Sequence, residues 1–300
     1  MGQTSLHHCP APAKLNLFLH VNGRRADGYH LLQTVFQLID HGDLLHFDLR
    51  RDGQIRRSTE VAGVPEAQDL IVRALTLLQT EHCRHHAVQP GIDVAIEKIL
   101  PMGGGLGGGS SDAATALMVA NRLWQTGLTR AELMALALPL GADIPFFIFG
   151  ENAFAEGVGE DLQAVATPDC WYVVIEPDVA VPTAAIFCAE HLTRNTKPVR
   201  IADFSRHLMS RTDLTEFGRN DLQAVASSLF PPVAQAVEWL GAYGDARMTG
   251  SGACVFCAFS SEVEADLALA NMPAKWTAWK ARALARHPLE TVLQDVGVIE

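Results

Sequence analysis

No stretch of this 300-residue chain approaches the ~20 consecutive apolar residues of a membrane-spanning helix, so a membrane-embedded protein is not expected. Basic residues are in deficit: 23 Lys and Arg stand against 34 Asp and Glu, a net charge of −11. That balance argues against a protein that holds nucleic acid or anionic membrane through a basic surface. An anionic ligand must instead be met by a few local Lys, Arg and N–H groups. The first residues have neither the basic n-region nor the apolar h-region of a secretory leader, and Leu6 stands where a myristoylation pattern wants Ser or Thr. The six cysteines (Cys9, Cys83, Cys170, Cys188, Cys254, Cys257) are scattered, and without a leader they are expected to be free, mostly buried thiols of a cytoplasmic protein. Internal repeats and low-complexity segments are also missing.

What remains is an ordinary globular composition, 48% apolar and 19% charged. A chain this long can bury about 75% of its unfolded surface, so it needs no covalent or metal staple.

Against this background one stretch is unusual. Six glycines occupy the seven positions Gly103, Gly104, Gly105, Leu106, Gly107, Gly108 and Gly109, preceded by Pro101 and Met102 and followed by Ser110, Ser111 and Asp112. Glycine turns freely through positive φ and lets a ligand approach the backbone closely. Free N–H groups at a helix start, where the dipole is positive, form a phosphate cradle. Upstream, Ile92, Val94 and Ile96 alternate as a strand. Downstream, Ala113, Ala116, Leu117, Ala120, Leu123 and Trp124 form the apolar stripe of a helix that Ser110 or Ser111 can cap.

The rest of the chain reads as alternating strands and helices. Residues 14–21 place Leu15, Leu17, Leu19 and Val21 on one face of a strand, with Lys14, Asn16, Phe18 and His20 on the other. Lys14 and Asn16 therefore point the same way, roughly 7 Å apart. Arg24 to Gly28 is a turn that leads through Tyr29 and His30 into an extended run to Ile39, and Leu70 to Leu78 is helical. Thr129 with Glu132 makes a capping box for a helix ending near Gly141, and Asp143-Ile144-Pro145 starts another. Beyond residue 166 come a strand at 171–176, a helix at 183–191, a helix opened by Pro231-Pro232, and a strand–helix–strand unit over 254–259, 261–271 and 275–281. The fold class is α+β, in two domains, 1–165 and 166–300.

Three kinds of phosphate loop compete for the glycine run. A Walker loop needs a lysine, and none lies between Met102 and Asp112. The dinucleotide pattern G-x-G-x-x-G is met by Gly103, Gly105 and Gly108, yet the ribose-binding acid about 20 residues on is missing. A protein-kinase glycine loop needs His-Arg-Asp and Asp-Phe-Gly elements downstream, and neither is present. The loop P-x-G-G-G-L-G-G-G-S-S resembles the signature of the GHMP kinases, a superfamily of small-molecule kinases. Pro12-Ala13-Lys14-Leu15-Asn16-Leu17 and Thr249-Gly250-Ser251-Gly252-Ala253 match two further signatures of that superfamily in the same order. Ala26 to His30, Leu140 to Phe147 and Asn220-Asp221-Leu222 narrow the resemblance to GHMP kinases that act on a CDP-linked methylerythritol in the non-mevalonate route to isoprenoids.

The resemblance implies a ribosomal-S5-like N-terminal domain, a ferredoxin-like C-terminal domain, ATP and Mg2+ as cofactors, and no nucleic-acid or membrane partner. It implies that Asp143 is the general base with Lys14 beside it, where local sequence alone suggests a helix N-cap and a strand-start lysine. The stretch from Pro101 through Ser111 is expected to hold the ATP phosphates. The serines can donate, reach Mg2+, or act only as helix caps. Lys98 matches a lysine near the adenosine end of ATP, against the plain reading of a solvated strand end. Asn16, Tyr29, His30, Thr183 and Phe187 are expected to contact the substrate, with Tyr29 stacking on the base, His30 hydrogen-bonding to it and Phe187 on its far side. By periodicity alone, Phe187 reads as core. Asp69 stands where the superfamily branch carries asparagine, and a carboxylate cannot donate as an amide does. A direct adenine contact from Asp69 is therefore not expected. Two rival functions share the fold: a sister kinase of homoserine, mevalonate or a sugar, and a non-catalytic nucleotide-binding protein. His7-His8-Cys9 and His82-Cys83 with His85-His86 lack zinc spacing; no metal site is expected there. Cys254 and Cys257, three apart on a strand, should face opposite sides.

Overall fold

The structure, a computed structural model, describes residues 4–209 and 217–295. In chain order the strands and helices are β1 (Ser5–Arg24), β2 (His30–Arg50), β3 (Ile55–Arg57), α1 (Leu70–Cys83), β4 (Gly91–Glu97), α2 (Gly108–Leu123), α3 (Arg130–Ala137), α4 (Ile144–Phe149), β5 (Ala153–Glu156), β6 (Asp161–Ala164) and β7 (Trp171–Glu176). They continue with α5 (Thr183–Cys188), α6 (Ile201–Met209), α7 (Gln223–Leu229), α8 (Pro231–Leu240), β8 (Arg247–Met248), β9 (Val255–Phe259), α9 (Glu262–Ala270), β10 (Thr277–Leu284) and α10 (Leu289–Asp295). The α+β character expected from the sequence holds, as does the Thr129–Glu132 capping box of α3.

β1 and β2 span 20 and 21 residues, against roughly five to six in an ordinary strand. They pair antiparallel along their whole length, with register breaks near residues 6–9, 12–13, 16–19 and 21–23. Each break bends the pair and turns side chains to a new direction. Because of this, β1 serves three apolar clusters in succession. Leu6, Cys9 and Ala11 enter the first, Ala13, Leu15, Leu17 and Phe18 the third, and Leu19 and Val21 the second. The expected alternation over residues 14–21 is thus corrected. Phe18 joins Leu15 and Leu17 in one cluster, because the break between Asn16 and Leu19 reverses its side. Lys14 and Asn16 precede that break and keep their common face, joined by a hydrogen bond.

The first cluster packs α1 and α2 on the sheet made by β1, β2 and β4. Alanines at 113, 114, 116 and 120 let α2 approach closely, and Leu75 and Leu78 of α1 fill the space above them. Each fully buried leucine contributes roughly 1.5–3 kcal/mol of transfer free energy. The second cluster lies between α7, α8 and α9 and the strands β7 and β9. Cys254 enters the third cluster and Cys257 the second, the opposite faces expected for a separation of three in a strand.

The line at 165/166 is crossed in both directions. Leu19 and Val21 pack with the second half of the chain. β10 pairs with β7 through residues 277–282 and then with β2 through Ala283 and Leu284, and Leu289 of α10 is buried in the first cluster. The helix expected over 183–191 ends at Cys188. The seam between the halves therefore runs through the middle of β1, where Lys14 and Asn16 stand.

His287 anchors α10. Its amide donates to the Gly150 carbonyl and its Nδ1 accepts from the Leu289 amide. The proton is thus on Nε2, which is buried without a partner. Burial, with a smaller contribution from Arg130, pushes its pKa from 6.5 down to about 3. The unfolded chain therefore binds this proton more readily than the folded one, and stability falls as pH drops below 6.5. We expect a loss of ~1.4 kcal/mol from this group by about pH 5.5. Urea unfolding at neutral pH and at about pH 5.5 checks this, with His287→Asn, which keeps an acceptor for Leu289, reducing the difference between the two.

Candidate active site

The glycine run lies between β4 and α2, and the helix starts inside it. Gly107 is the residue before the first turn, in the left-handed region at φ 74°, and Gly108 and Gly109 are already helical. The expectation that a serine caps this helix is corrected here. The Ser111 amide makes the first bond of the helix, to the Gly107 carbonyl. The amides of Gly108, Gly109 and Ser110 precede it and have no partner within the helix. They stand at the positive end of a 16-residue helix, an arrangement suited to an anion. Ser111 is fully buried and its hydroxyl donates to the Pro12 carbonyl, so it ties α2 to β1. Leu106 has a related anchoring job: it is 1% exposed and plugs into the third cluster.

Two cavities meet at this loop. The first, about 410 Å³, is walled by Val61, Val64, Leu70, Ile96, Lys98 and the run from Pro101 to Ser110. Its apolar end suits a base and its glycine end suits phosphates. Lys98 lies on its wall with its ammonium already engaged, at 2.5 Å from Asp43 and 2.8 Å from Asp112. Burial disfavours this charge, but the two carboxylates outweigh it and raise the Lys98 pKa. Burial pushes Asp112 up to about 8, with Lys98 opposing and Asp43 reinforcing. On the wall where a contact with ATP was expected, the Lys98 ammonium is thus already paired with two protein carboxylates. Lys98 braces the underside of the loop, 3.2 Å from where a Cβ of Gly108 would stand. Asp69 also lines this cavity with both oxygens taken, one by the Ile71 amide at the start of α1 and one by Arg57. As expected for a carboxylate, it offers no donor to a base.

The second cavity, about 790 Å³, draws its walls from both halves of the chain. It holds Lys14, Asn16 and Asp143 at one end, with Gly103, Gly105, Gly107 and Ser110, and Tyr29, His30 and Phe187 toward the other end; Thr183 also lines it, beside Ser251 of the 249–253 turn. Lys14 is 3% exposed. Its ammonium donates to Asn16 Oδ1 at 2.5 Å and stands 3.8 Å from Asp143 Oδ2. Burial lowers its pKa, and the Asp143 carboxylate counters that. Asp143 precedes α4 without using its side chain as a cap. Its carboxylate is instead turned toward Lys14.

Asn16 holds this arrangement together. Its amide N–H donates to Thr249 Oγ1 at 3.0 Å, and its Nδ2 donates to Thr34 Oγ1 at 2.9 Å. One Nδ2 hydrogen is left for a ligand. The Lys14 amide donates to the Leu106 carbonyl, and the Cys254 amide to the Gly104 carbonyl. Asn220 Nδ2 donates to the Met248 and Gly250 carbonyls, which fixes the 249–253 turn beside the loop. Thr249, Asn220, Asp43 and Asp112 were not among the candidate site residues. The motifs containing three of them were visible in the sequence, but Asp43 has no local signal.

At the far end, His30 and Phe187 lie ring to ring, centroids 4.9 Å apart. Tyr29 is 65% exposed beside them. Phe187 is half-buried, packing on the second cluster while also lining the cavity. The Thr183 and Ser251 hydroxyls are 2.7 Å apart on the second-half wall.

Away from the cleft, His8, His46 and Glu97 bring donor atoms within 4.8 Å of one another. Both ring nitrogens of His46 are engaged, Nδ1 by the His8 amide and Nε2 by Glu97, and we assign no metal to the group. Burial pushes the Cys9 thiol up to about 12, which leaves it inert.

Comparison with known proteins agrees with this geometry. Residues 69–151 match the GHMP kinases N terminal domain, and residues 204–278 match GHMP kinases C terminal. The chain is 66% identical to a 4-diphosphocytidyl-2-C-methyl-D-erythritol kinase of Herminiimonas arsenicoxydans, over 95% of this chain and 97% of that protein. It is 64% identical to the protein of the same name from Janthinobacterium sp. (strain Marseille), over 97% and 99%. A crystal structure of 4-(cytidine 5'-diphospho)-2C-methyl-D-erythritol kinase superposes with a TM-score of 0.77 at 31% identity, over 91% of this chain and 98% of that one. A homoserine kinase from Cytophaga hutchinsonii shares the fold, with a TM-score of 0.67 at 15% identity over 95% and 96%.

Gly105 tests the contact between the loop and the 249–253 turn. Its φ is +76°, and a Cβ would fall 2.2 Å from the Thr249 carbonyl oxygen. Gly105→Ala should destabilise the protein by about 2–3 kcal/mol. Gly109 is helical and a Cβ there meets only Leu70 Cδ1 at 3.6 Å, so Gly109→Ala should be neutral or slightly stabilising. Chemical unfolding of the two variants checks the contrast.

Proposed function

We propose a role for each wall of this cleft from one premise: the chain belongs to the 4-diphosphocytidyl-2-C-methyl-D-erythritol kinase family of the GHMP kinases. Its reaction is the ATP-dependent phosphorylation of a hydroxyl of the CDP-linked methylerythritol, a step toward isoprenoid precursors. The observation that carries our assignment of residues is the meeting of Lys14 and Asp143, 3.8 Å apart, on the same cavity wall as Gly105, Gly107 and Ser110.

In this reading the nucleotide occupies the smaller cavity, with its phosphates on the amides of Gly108, Gly109 and Ser110. Residues 1–165 supply most of the nucleotide and catalytic side, and residues 166–300 supply Thr183, Phe187 and the 249–253 turn that close over the substrate. The acceptor hydroxyl lies between Asp143 and Lys14. Its oxygen attacks the γ-phosphorus, the bond from that phosphorus to the bridging oxygen breaks, and ADP leaves. Asp143 takes the hydroxyl proton as the new bond forms. Lys14 keeps its positive charge through the partnership with Asp143 and neutralises charge on the phosphoryl oxygens in transit. No group of the enzyme is phosphorylated. Asn16 orients Lys14 and has one N–H to offer the substrate.

Mg2+ belongs with the nucleotide in this reading. The Ser110 hydroxyl lines the cavity beside the loop, and a hard oxygen donor next to phosphates would suit an ion that keeps several waters. When bound, it neutralises phosphate charge. The cytosine end of the substrate fits between Tyr29 and Phe187, with His30 as its hydrogen-bonding partner. We place the enzyme in the cytoplasm, where ATP is available. Among the described residues, no helix is long and apolar enough to cross a membrane.

Mass spectrometry of the product from ATP and the CDP-linked alcohol tests the substrate assignment. Transfer to the CDP-linked alcohol, with the free alcohol turned over far more slowly, is the expected result. Equal turnover of both would point to a kinase that ignores the base. Asp143→Asn should lower kcat by about 10² to 10⁴ while leaving the KM for ATP near the parent value. Single-turnover transfer at the parent rate would remove Asp143 from the base role.

A further inference from the structure

The base end of the larger cavity is built from parts that are distant in sequence, and Arg194 joins them. Its Nη2 donates to the carbonyls of Phe187 and Ala189, at 2.9 and 2.8 Å, and its Nη1 to the Leu192 carbonyl at 3.2 Å. These contacts occupy carbonyls at and just beyond the end of α5, a place where helical partners run out. Its Nε donates to His30 Nε2 at 3.2 Å, across to the start of β2. One planar guanidinium therefore holds both the segment that presents Phe187 and the ring that faces it. Nothing in the motifs around residue 194 signals this.

The direction of the last bond carries information. Arginine has donors and no acceptor. The His30 nitrogen that receives it must hold a lone pair, so the imidazole proton is on Nδ1. We propose that Arg194 is a positioning residue for nucleobase recognition: it holds His30 as a neutral Nδ1–H donor beside Phe187, which selects a base presenting a ring or carbonyl acceptor, as the pyrimidine edge of cytosine does. This rests on the substrate reading above.

The charges around His30 agree with a neutral ring. Burial lowers its pKa from 6.5, and Arg194 from the second half and Arg24 of β1 lower it further. Asp27, in the turn before β2, is committed to the Tyr29 amide and to Arg25. Protonating Nε2 would also set two donors against each other at the Arg194 contact.

The test uses the full-length enzyme and the variants Arg194→Met and Arg194→Lys. Long-range proton–nitrogen NMR on the ligand-free protein, with the His30 signals assigned by their loss in His30→Gln, reports the tautomer and the titration. The parent should show Nδ1–H and titrate below the ordinary histidine range. In Arg194→Met the tautomer should no longer be fixed and the titration should move upward. In steady-state assays, KM for the CDP-linked alcohol should rise about tenfold, with kcat and the KM for ATP within about twofold of the parent. Arg194→Lys, a point charge in place of a fork, should keep parent-like stability without restoring that KM, and it carries the same measurements if the methionine variant fails to fold. An unchanged tautomer and unchanged KM would overturn the proposal, as would a uniform fall in kcat with every KM intact. If the parent itself does not turn over the CDP-linked alcohol, the substrate reading fails, and the NMR comparison still decides whether Arg194 sets the state of His30.

Discussion

A buried ammonium is costly unless it is hydrogen-bonded and faced by a negative charge, and the burial of Lys14 is the constraint around which this cleft is arranged. Asn16 accepts its hydrogen bond, and Asp143 lies at ion-pair distance. Asn16 is in turn held by Thr34 of β2 and Thr249 of the last motif. The Lys14 amide donates to the Leu106 carbonyl and so docks the phosphate loop. Four separated segments thus converge on one charge. Their common location follows from the bent course of β1, which leaves Lys14 and Asn16 at the junction of three apolar clusters.

The same economy of charge explains how a chain with a net charge of −11 accepts polyanionic ligands. Lys98, the other lysine beside the loop, is bracketed by Asp43 and Asp112 and contributes rigidity. In the function proposed here, attraction for phosphate rests on the dipole and free amides of α2 and on Lys14. These groups act at short range and cannot steer a ligand from afar. In the same proposal, recognition of the remainder of the substrate falls to the aromatic end of the cavity, through shape and hydrogen bonding.

Much of this site was legible in the sequence because glycine, proline and capping residues have local causes. The glycine run, the α3 capping box and the shared face of Lys14 and Asn16 all come from spacing alone. What escaped was set by long-range contacts. Ser111 and Lys98 have the composition of ligand-binding residues, and only the fold shows that Pro12, Asp43 and Asp112 occupy them. The alternation through β1 failed at a bulge that no local pattern announces. Asp143 could have been a helix cap on local grounds; its side chain turns away from that role because Lys14, 129 positions earlier in the sequence, needs a counter-charge.

The central claim is that the phosphoryl group passes directly from ATP to an alcohol held by Asp143 and Lys14, with the carboxylate acting as base and never as nucleophile. The stereochemical course at phosphorus tests this most directly, using ATP whose γ-phosphoryl group is made chiral with oxygen isotopes. A single in-line displacement predicts inversion of configuration in the phosphorylated product. Retention would mean two displacements through a phosphorylated enzyme, and would contradict the account.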